Sequence, residues 1–221
     1  MSQNRFERRI MFAGCSGVGK TTIARYLADR LGIPFISGSY SDLIPETKEM
    51  PHSDMINQDA QTVFMQDMKV LNLRNKGLRE QEEFVTDRSF LDSAAYFINK
   101  LSHRIRECDV EHAVELCRML LGQHCTHLII IPFSEQFVNH WVIEDNNKRV
   151  LSKFYQYQVS LIMMGLLKLW GYKPNSSRLK QLIKGKNTGT LTLCGNTVEV
   201  LILDEMNYDK RKEAIEAFLE L

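Results

Sequence analysis

The sequence predicts an α/β fold in three layers, with helices on both faces of a mostly parallel sheet, and three observations carry that prediction. An apolar run, Ile10-Met11-Phe12-Ala13, leads into the glycine-rich stretch Gly14-Cys15-Ser16-Gly17-Val18-Gly19-Lys20-Thr21, and an amphipathic segment follows it. Further short apolar runs alternate with segments of helical spacing along the rest of the chain. A length of 221 residues with 44% hydrophobic content suits one α/β domain over 1–221 with a sizeable core.

Residues 1–8 are polar and read as a short lead. Residues 10–13 form the first strand, continuously apolar because a parallel strand is covered on both faces. The next eight residues fit G-x-x-x-x-G-K-[ST], the Walker A or P-loop pattern, and they have the required strand before and helix after. Backbone N–H groups of such a loop point inward as an anion nest, and the helix adds the positive end of its dipole. Gly14, Ser16, Gly17, Val18, Gly19, Lys20, Thr21 and Thr22 are therefore expected to hold a triphosphate. Lys20 would set its ammonium on the β and γ phosphates, and Thr21 would offer its hydroxyl to Mg2+.

The helix over 20–31 carries Ile23, Tyr26, Leu27 and Leu31 on one face and stops at Gly32 and Pro34. Residues 34–37 give a second strand, completing a βαβ unit. A long polar loop, 38–51, follows at the strand's carboxyl end, where open α/β folds place ligands. Its Asp42 is either an acid facing the P-loop across the cleft or a solvated loop acid or cap. A helix is expected over 53–75 with Ser53 as N-cap. Its Gln58, Gln61 and Gln66 are either solvated or include an amide that reads a base.

Residues 83–87 form a third strand ending in an acid and a base. Asp87 is placed to hold Mg2+ or to accept a proton from an attacking hydroxyl, and Arg88 to clamp a phosphate. In the helix over 91–106, Asp92 and Tyr96 sit four apart and either face the same cleft or pack locally. A helix over 109–122 ends at Gly122, with 109–112 alternatively a tether between helices, and 127–132 form the fourth strand. His124, Cys125 and His127 lack a second spaced pair, so they are not read as a zinc site. The polar stretch 144–149 is read as a lid at about 140–150, with Arg149 ahead of Lys148 because a guanidinium forks onto phosphate oxygens. A helix over 150–170 follows. The basic segment 168–186, with Trp170 and Tyr172 in it, is either a solvated face or a nucleic-acid surface. Strands at 190–193 and 198–203 flank a hairpin turn at Gly195-Asn196. Asp204, Glu205 and Asn207 then lie near a purine position, and a helix over 210–221 closes the chain.

A formal charge of +1 argues against a protein that coats polyanions. The five cysteines are odd in number with no C-x-x-C spacing, which points to a reducing compartment rather than a disulfide framework. No apolar run reaches membrane-spanning length, so no membrane partner is expected and the reading is soluble and cytoplasmic.

With these pieces placed, the chain resembles the P-loop kinases of the nucleoside and nucleotide kinase group, and small phage-type deoxynucleotide kinases in particular. The resemblance runs through most of the chain in order, with the Walker A stretch as its specific part. It implies a P-loop NTPase fold with a five-stranded parallel sheet ordered 2-3-1-4-5, supplied by 9–13, 34–37, 83–87, 127–132 and 198–203, and a small hairpin added near the C-terminus. It implies ATP and Mg2+ as cofactors. It also gives phosphate and magnesium roles to Lys20 and Thr21, a metal or substrate role to Asp87 and Arg88, and a lid role to Arg149. Transfer of the γ-phosphoryl group to a nucleoside or deoxynucleoside monophosphate follows, with Asp42 or Asp87 as base where the acceptor is a hydroxyl. The chain departs from the pattern in having Ser89-Phe90 after the acid–arginine pair and no run of arginines in the lid.

Phage kinases of the hydroxymethyl group of a modified pyrimidine, 5-hydroxymethyluracil, in DNA resemble the same group. Such an activity would use the 168–186 segment on DNA, and the cytoplasm would then be the host's. An ATPase switch or binding module is the reading outside the kinases, and a homodimer is left open.

Overall fold

The computed structural model describes residues 7–45, 58–136, 152–175 and 187–221. In chain order the elements are β1 (Arg9–Ala13), α1 (Lys20–Leu31), β2 (Phe35–Ile36), α2 (Tyr40–Leu43), α3 (Ala60–Arg79), β3 (Phe84–Thr86), α4 (Phe90–Leu101), α5 (Glu107–His124), β4 (His127–Ile130), α6 (Lys153–Leu169), β5 (Lys173–Pro174), β6 (Thr188–Leu193), β7 (Asn196–Ile202) and α7 (Tyr208–Phe218).

The strands form one mixed sheet of seven, in the order β2-β3-β1-β4-β7-β6-β5. This corrects the expected five-stranded parallel sheet. Strands β2, β3, β1, β4 and β7 do run parallel, but β6 pairs antiparallel with β7 and β5 antiparallel with β6. The hairpin is therefore part of the sheet rather than an appendage. The reason is the edge of β7, whose N–H and C=O groups need partners that β6 supplies along its length. β5 is only Lys173-Pro174, too short to show a period, and its proline is tolerated because it lies at an edge.

β1 sits inside the sheet, and its Ile10, Met11, Phe12 and Ala13 are fully buried, as an apolar run with neighbours on both sides requires. Phe12, Phe84, Phe90, Phe97 and Phe218 are among the largest fully buried side chains, each contributing roughly 1.5–3 kcal/mol by leaving water. α1 packs on β1, β2 and β3, while α5 packs on β6, β7 and α4. α4 in turn meets α3 and α6.

Boundaries moved where capping chemistry overrode periodicity. α4 starts at Phe90 because Ser89 and Asp92 form a reciprocal capping box. It ends at Leu101, and α5 is already under way at Glu107, so 109–112 is helix and not a tether. α3 is capped by Asp59, whose side chain accepts from the Thr62 N–H. The expected cap at Ser53 lies outside the described residues. The hairpin turn is Cys194-Gly195, one residue earlier than the sequence suggested, with the positive φ at both central positions that a type I′ turn has. Those angles are 50° and 82°, and Asn196 is left to pair with Leu193. Among the described residues, no helix is long and apolar enough to cross a membrane.

Candidate functional site

The carboxyl ends of β1 and β3 lie side by side, with Met11 opposite Thr86, so the loop after β1 and the residues after β3 share one end of the sheet. Gly14 has φ 151°, and a Cβ there would stand 2.6 Å from the Ile131 carbonyl oxygen. The loop can lie this close to the end of β4 only without a side chain. Gly19 turns the chain into α1 with φ 85°. Among the described residues, none accepts from the backbone N–H groups of Gly17, Val18, Gly19, Lys20 or Thr21. These donors lie at and just before the start of a twelve-residue helix, where an anion is favoured.

Lys20 is buried, and its Nζ donates to the carbonyls of Gly14 at 2.7 Å and Cys15 at 2.6 Å. Burial, helped by the Arg88 cation, pulls its pKa from 10.5 down to about 8. Thr21 Oγ1 donates to Asp87 Oδ2 at 2.6 Å, and the other carboxylate oxygen accepts from the Gly38 N–H at 3.0 Å. Asp87 thus joins the P-loop threonine to the loop after β2. Thr22 is exposed on α1.

Arg88 is half-buried beside Asp87. Burial works against its charge, but Tyr96, Asp92 and Asp87 outweigh that and hold its pKa above the ordinary arginine value. A Cβ on Gly38 would come within 2.5 Å of the Arg88 Cβ, so that glycine lets the two loops close on each other. Asp42 stands at the surface on α2, accepting from the Ser37 hydroxyl at 2.5 Å. Arg149 and Lys148, with the whole expected lid, lie outside the described residues, as does 176–186 of the basic segment.

Asp92 and Tyr96 both reach the P-loop. Asp92 Oδ1 accepts from the Gly14 N–H at 2.8 Å, and the Tyr96 hydroxyl lies 3.4 Å from Ser16 Oγ. Of the candidate glutamines, Gln66 accepts from the Tyr40 hydroxyl at 3.0 Å. Glu205 accepts from the N–H groups of Met206 and Asn207, and Asn207 caps α7. His124 is buried and paired with Asn75 at 2.8 Å, its pKa pulled down to about 4 by burial.

The sequence did not point to Arg74, Gln156 or Arg211. Arg74 is buried on α3 and donates to the Gly38 carbonyl at 2.9 Å and to Ser93 Oγ at 2.7 Å, bridging the loop after β2 to α4. Burial and the nearby Arg88 cation pull its pKa down to about 10. Lys20, Arg74 and Arg88 therefore crowd positive charge around Asp87 and Asp92, and an arriving anion would relieve their mutual repulsion.

An α/β sheet whose five parallel strands include β1, with a glycine-rich loop between β1 and α1, defines a P-loop protein. A family model described as an AAA domain matches residues 9–150, well over half of the chain, and the chain belongs to that family. No curated protein matches it in sequence. Among solved structures, deoxyadenosine kinase from M. mycoides with bound dATP is similar at TM-score 0.62 and 16% identity, covering 97% of this chain and 100% of that one. NadR protein in complex with NR is similar at TM-score 0.60 and 14% identity, covering 98% of this chain and 52% of the other. Shikimate kinase from Acinetobacter baumannii in complex with shikimate is similar at TM-score 0.54 and 13% identity, covering 97% and 94%. At these identities the likeness is one of fold, a P-loop kinase-like α/β architecture.

Proposed function

We propose that the chain is an ATP- and Mg2+-dependent kinase that transfers the γ-phosphoryl group to a nucleoside or deoxynucleoside monophosphate. The observation that carries this reading is the meeting of Thr21, Asp87 and Gly38 beside the P-loop. It ties the triphosphate side of the cleft to the loop that would face an acceptor. The likeness to deoxyadenosine kinase over nearly the full length of both chains supports the nucleoside-type acceptor.

The residues present fit both cofactors. N–H groups from Gly17 to Thr21 and the Lys20 ammonium suit a polyphosphate, and the Thr21 hydroxyl with the Asp87 carboxylate suits a hard divalent cation. When bound, ATP with Mg2+ supplies the phosphoryl group and neutralises part of its charge. Lys20 and Arg88 meet the charge on the phosphoryl oxygens. Where the acceptor is a hydroxyl, Asp87, or Asp42 from across the loop, takes its proton.

Radiolabelled ATP offered against nucleosides, nucleoside monophosphates and hydroxymethyluracil-containing DNA tests the reading. Label is expected on a nucleoside or monophosphate. Label on DNA alone, with transfer that falls steeply as salt rises, would move the function to the DNA-base kinase that the 168–186 segment suggests. Hydrolysis to free phosphate with every acceptor would move it to a switch. Arg149 is assigned to the lid from its place in the sequence. Arg149→Ala is expected to lower turnover about tenfold to a hundredfold, the worth of a hydrogen bond to a charged group, with ATP affinity little changed. Steady-state kinetics in which only the KM for ATP moves would remove Arg149 from that role.

A further inference from the structure

We propose that Gln156, together with Asp92 and Arg211, is a positioning residue that holds the P-loop in its nucleotide-ready shape before any nucleotide arrives. The proposal rests on reading the P-loop as the ATP site. Three helices approach the loop from outside, and each places one buried polar side chain on its backbone. From α6, Gln156 Oε1 accepts from the Ser16 N–H at 3.1 Å. From α4, Asp92 Oδ1 accepts from the Gly14 N–H at 2.8 Å. From α7, Arg211 Nη1 donates to the Val18 carbonyl at 3.0 Å, while its Nε donates to the Glu205 carbonyl at 2.6 Å. All three side chains are within 5% of complete burial, so water has little access to their ends of these bonds.

The bonds fall on alternate residues, 14, 16 and 18. The N–H groups from Gly17 to Thr21 are not used by any of them. The loop is thus divided into groups at 14, 16 and 18 already satisfied by helices and donors from Gly17 to Thr21 left for an anion. A glycine-rich segment has wide conformational freedom, and ordering it at the moment of binding would weaken affinity by that entropy. Bracing from three sides removes the cost beforehand.

Gln156 carries the argument furthest because its helix touches Ser16 by two routes. Its neighbour Tyr155 stacks on Tyr96 with ring centroids 6.5 Å apart, and the Tyr96 hydroxyl lies 3.4 Å from Ser16 Oγ. Ser16 is therefore held through its backbone by α6 and through its side chain by α4, itself backed by α6.

Gln156→Met keeps the length and volume of the side chain and removes its acceptor oxygen. Mg-ATP binding by titration calorimetry and exchange of individual amides by NMR in the nucleotide-free protein read the effect. The dissociation constant for ATP is expected to rise about tenfold, as for a buried donor left unsatisfied, with the loss appearing in KM for ATP more than in kcat. Exchange of the Ser16 amide is expected to quicken about tenfold while that of Gly14, held by Asp92, keeps its wild-type rate. Gln156→Glu, which retains an acceptor oxygen, is expected to restore slow exchange at Ser16. A methionine variant that binds ATP as the wild type does overturns the brace. So does fast exchange of the Ser16 amide in the wild type, which decides the matter even where the methionine variant does not fold. A wild type that takes up no ATP defeats the ATP reading and with it the purpose of the brace, whereas wild-type uptake with an unaffected variant defeats the brace alone.

Discussion

Lys20→Ala is expected to lower phosphoryl transfer from ATP by about 10³-fold, at the upper end of what removing one preorganised charge donor costs, while the protein still folds. The fold should survive because, among the described residues, Nζ bonds only two loop carbonyls, those of Gly14 and Cys15, which water can satisfy once the side chain is gone. Alanine also suits the first position of α1. The same lysine gives the wild type a pH signature. Burial lowers its pKa to about 8 in the nucleotide-free protein, so the folded state favours the neutral amine. Its contribution to stability therefore rises as pH climbs through 8 toward the ordinary 10.5. Triphosphate binding has the opposite preference, since it needs the ammonium. Binding above pH 8 should take up a proton, and affinity should fall as pH rises. Calorimetry in buffers of different ionisation heat would detect that proton in the wild type and not in the alanine variant. Near-normal turnover of the variant would defeat the assignment of the P-loop as the donor site.

What the sequence made legible was what lies contiguous in the chain. The run from Ile10 to Thr21 carries its strand, loop and helix start in consecutive residues, so local pattern sufficed. Asp87 and Arg88 were visible because a charged pair ending an apolar strand is unusual. Arg74, Gln156 and Arg211 reach the loops only through tertiary packing, and a polar side chain on a helix reads by its type as solvent-facing. One hint was available for Arg74: it shares the buried face of α3 with Val70, Leu71 and Leu78, and an arginine on such a face needs polar partners inside. Gly38 looked like one more loop glycine. Its role is a close approach to Arg88, a contact between residues fifty apart that no spacing rule encodes. The hairpin of β6 and β7 was legible from its turn and flanking strands, whereas β5, two residues long, shows no period and escaped.

Asp87→Asn separates the chemistry of the carboxylate from its structural duties. Asp87 is almost wholly buried, and among the described residues each of its oxygens has one donor, the Gly38 N–H on Oδ1 and the Thr21 hydroxyl on Oδ2. Asparagine keeps an oxygen for the Gly38 N–H and presents an amide to Thr21, whose hydroxyl can turn to accept from it. The loop after β2 should therefore remain attached to β3, with a thermal midpoint within a few degrees of the wild type. The negative charge, however, is lost from the centre of a cluster that holds Lys20, Arg74 and Arg88. Asp87 is one of the groups that support the charged form of Lys20, so the lysine pKa should fall further and the decline of ATP affinity with pH should begin earlier. The residues left around the cation site would be the Thr21 hydroxyl and a neutral amide, a poor pair for a hard divalent ion. Turnover is expected to drop by about 10²–10³-fold, with activation by Mg2+ displaced to higher concentration. A variant that keeps the wild-type response to Mg2+, measured as initial rate against metal concentration, would return Asp87 to the role of a bracket between β2 and the P-loop. Its bonds to Gly38 and Thr21 would then be its whole contribution.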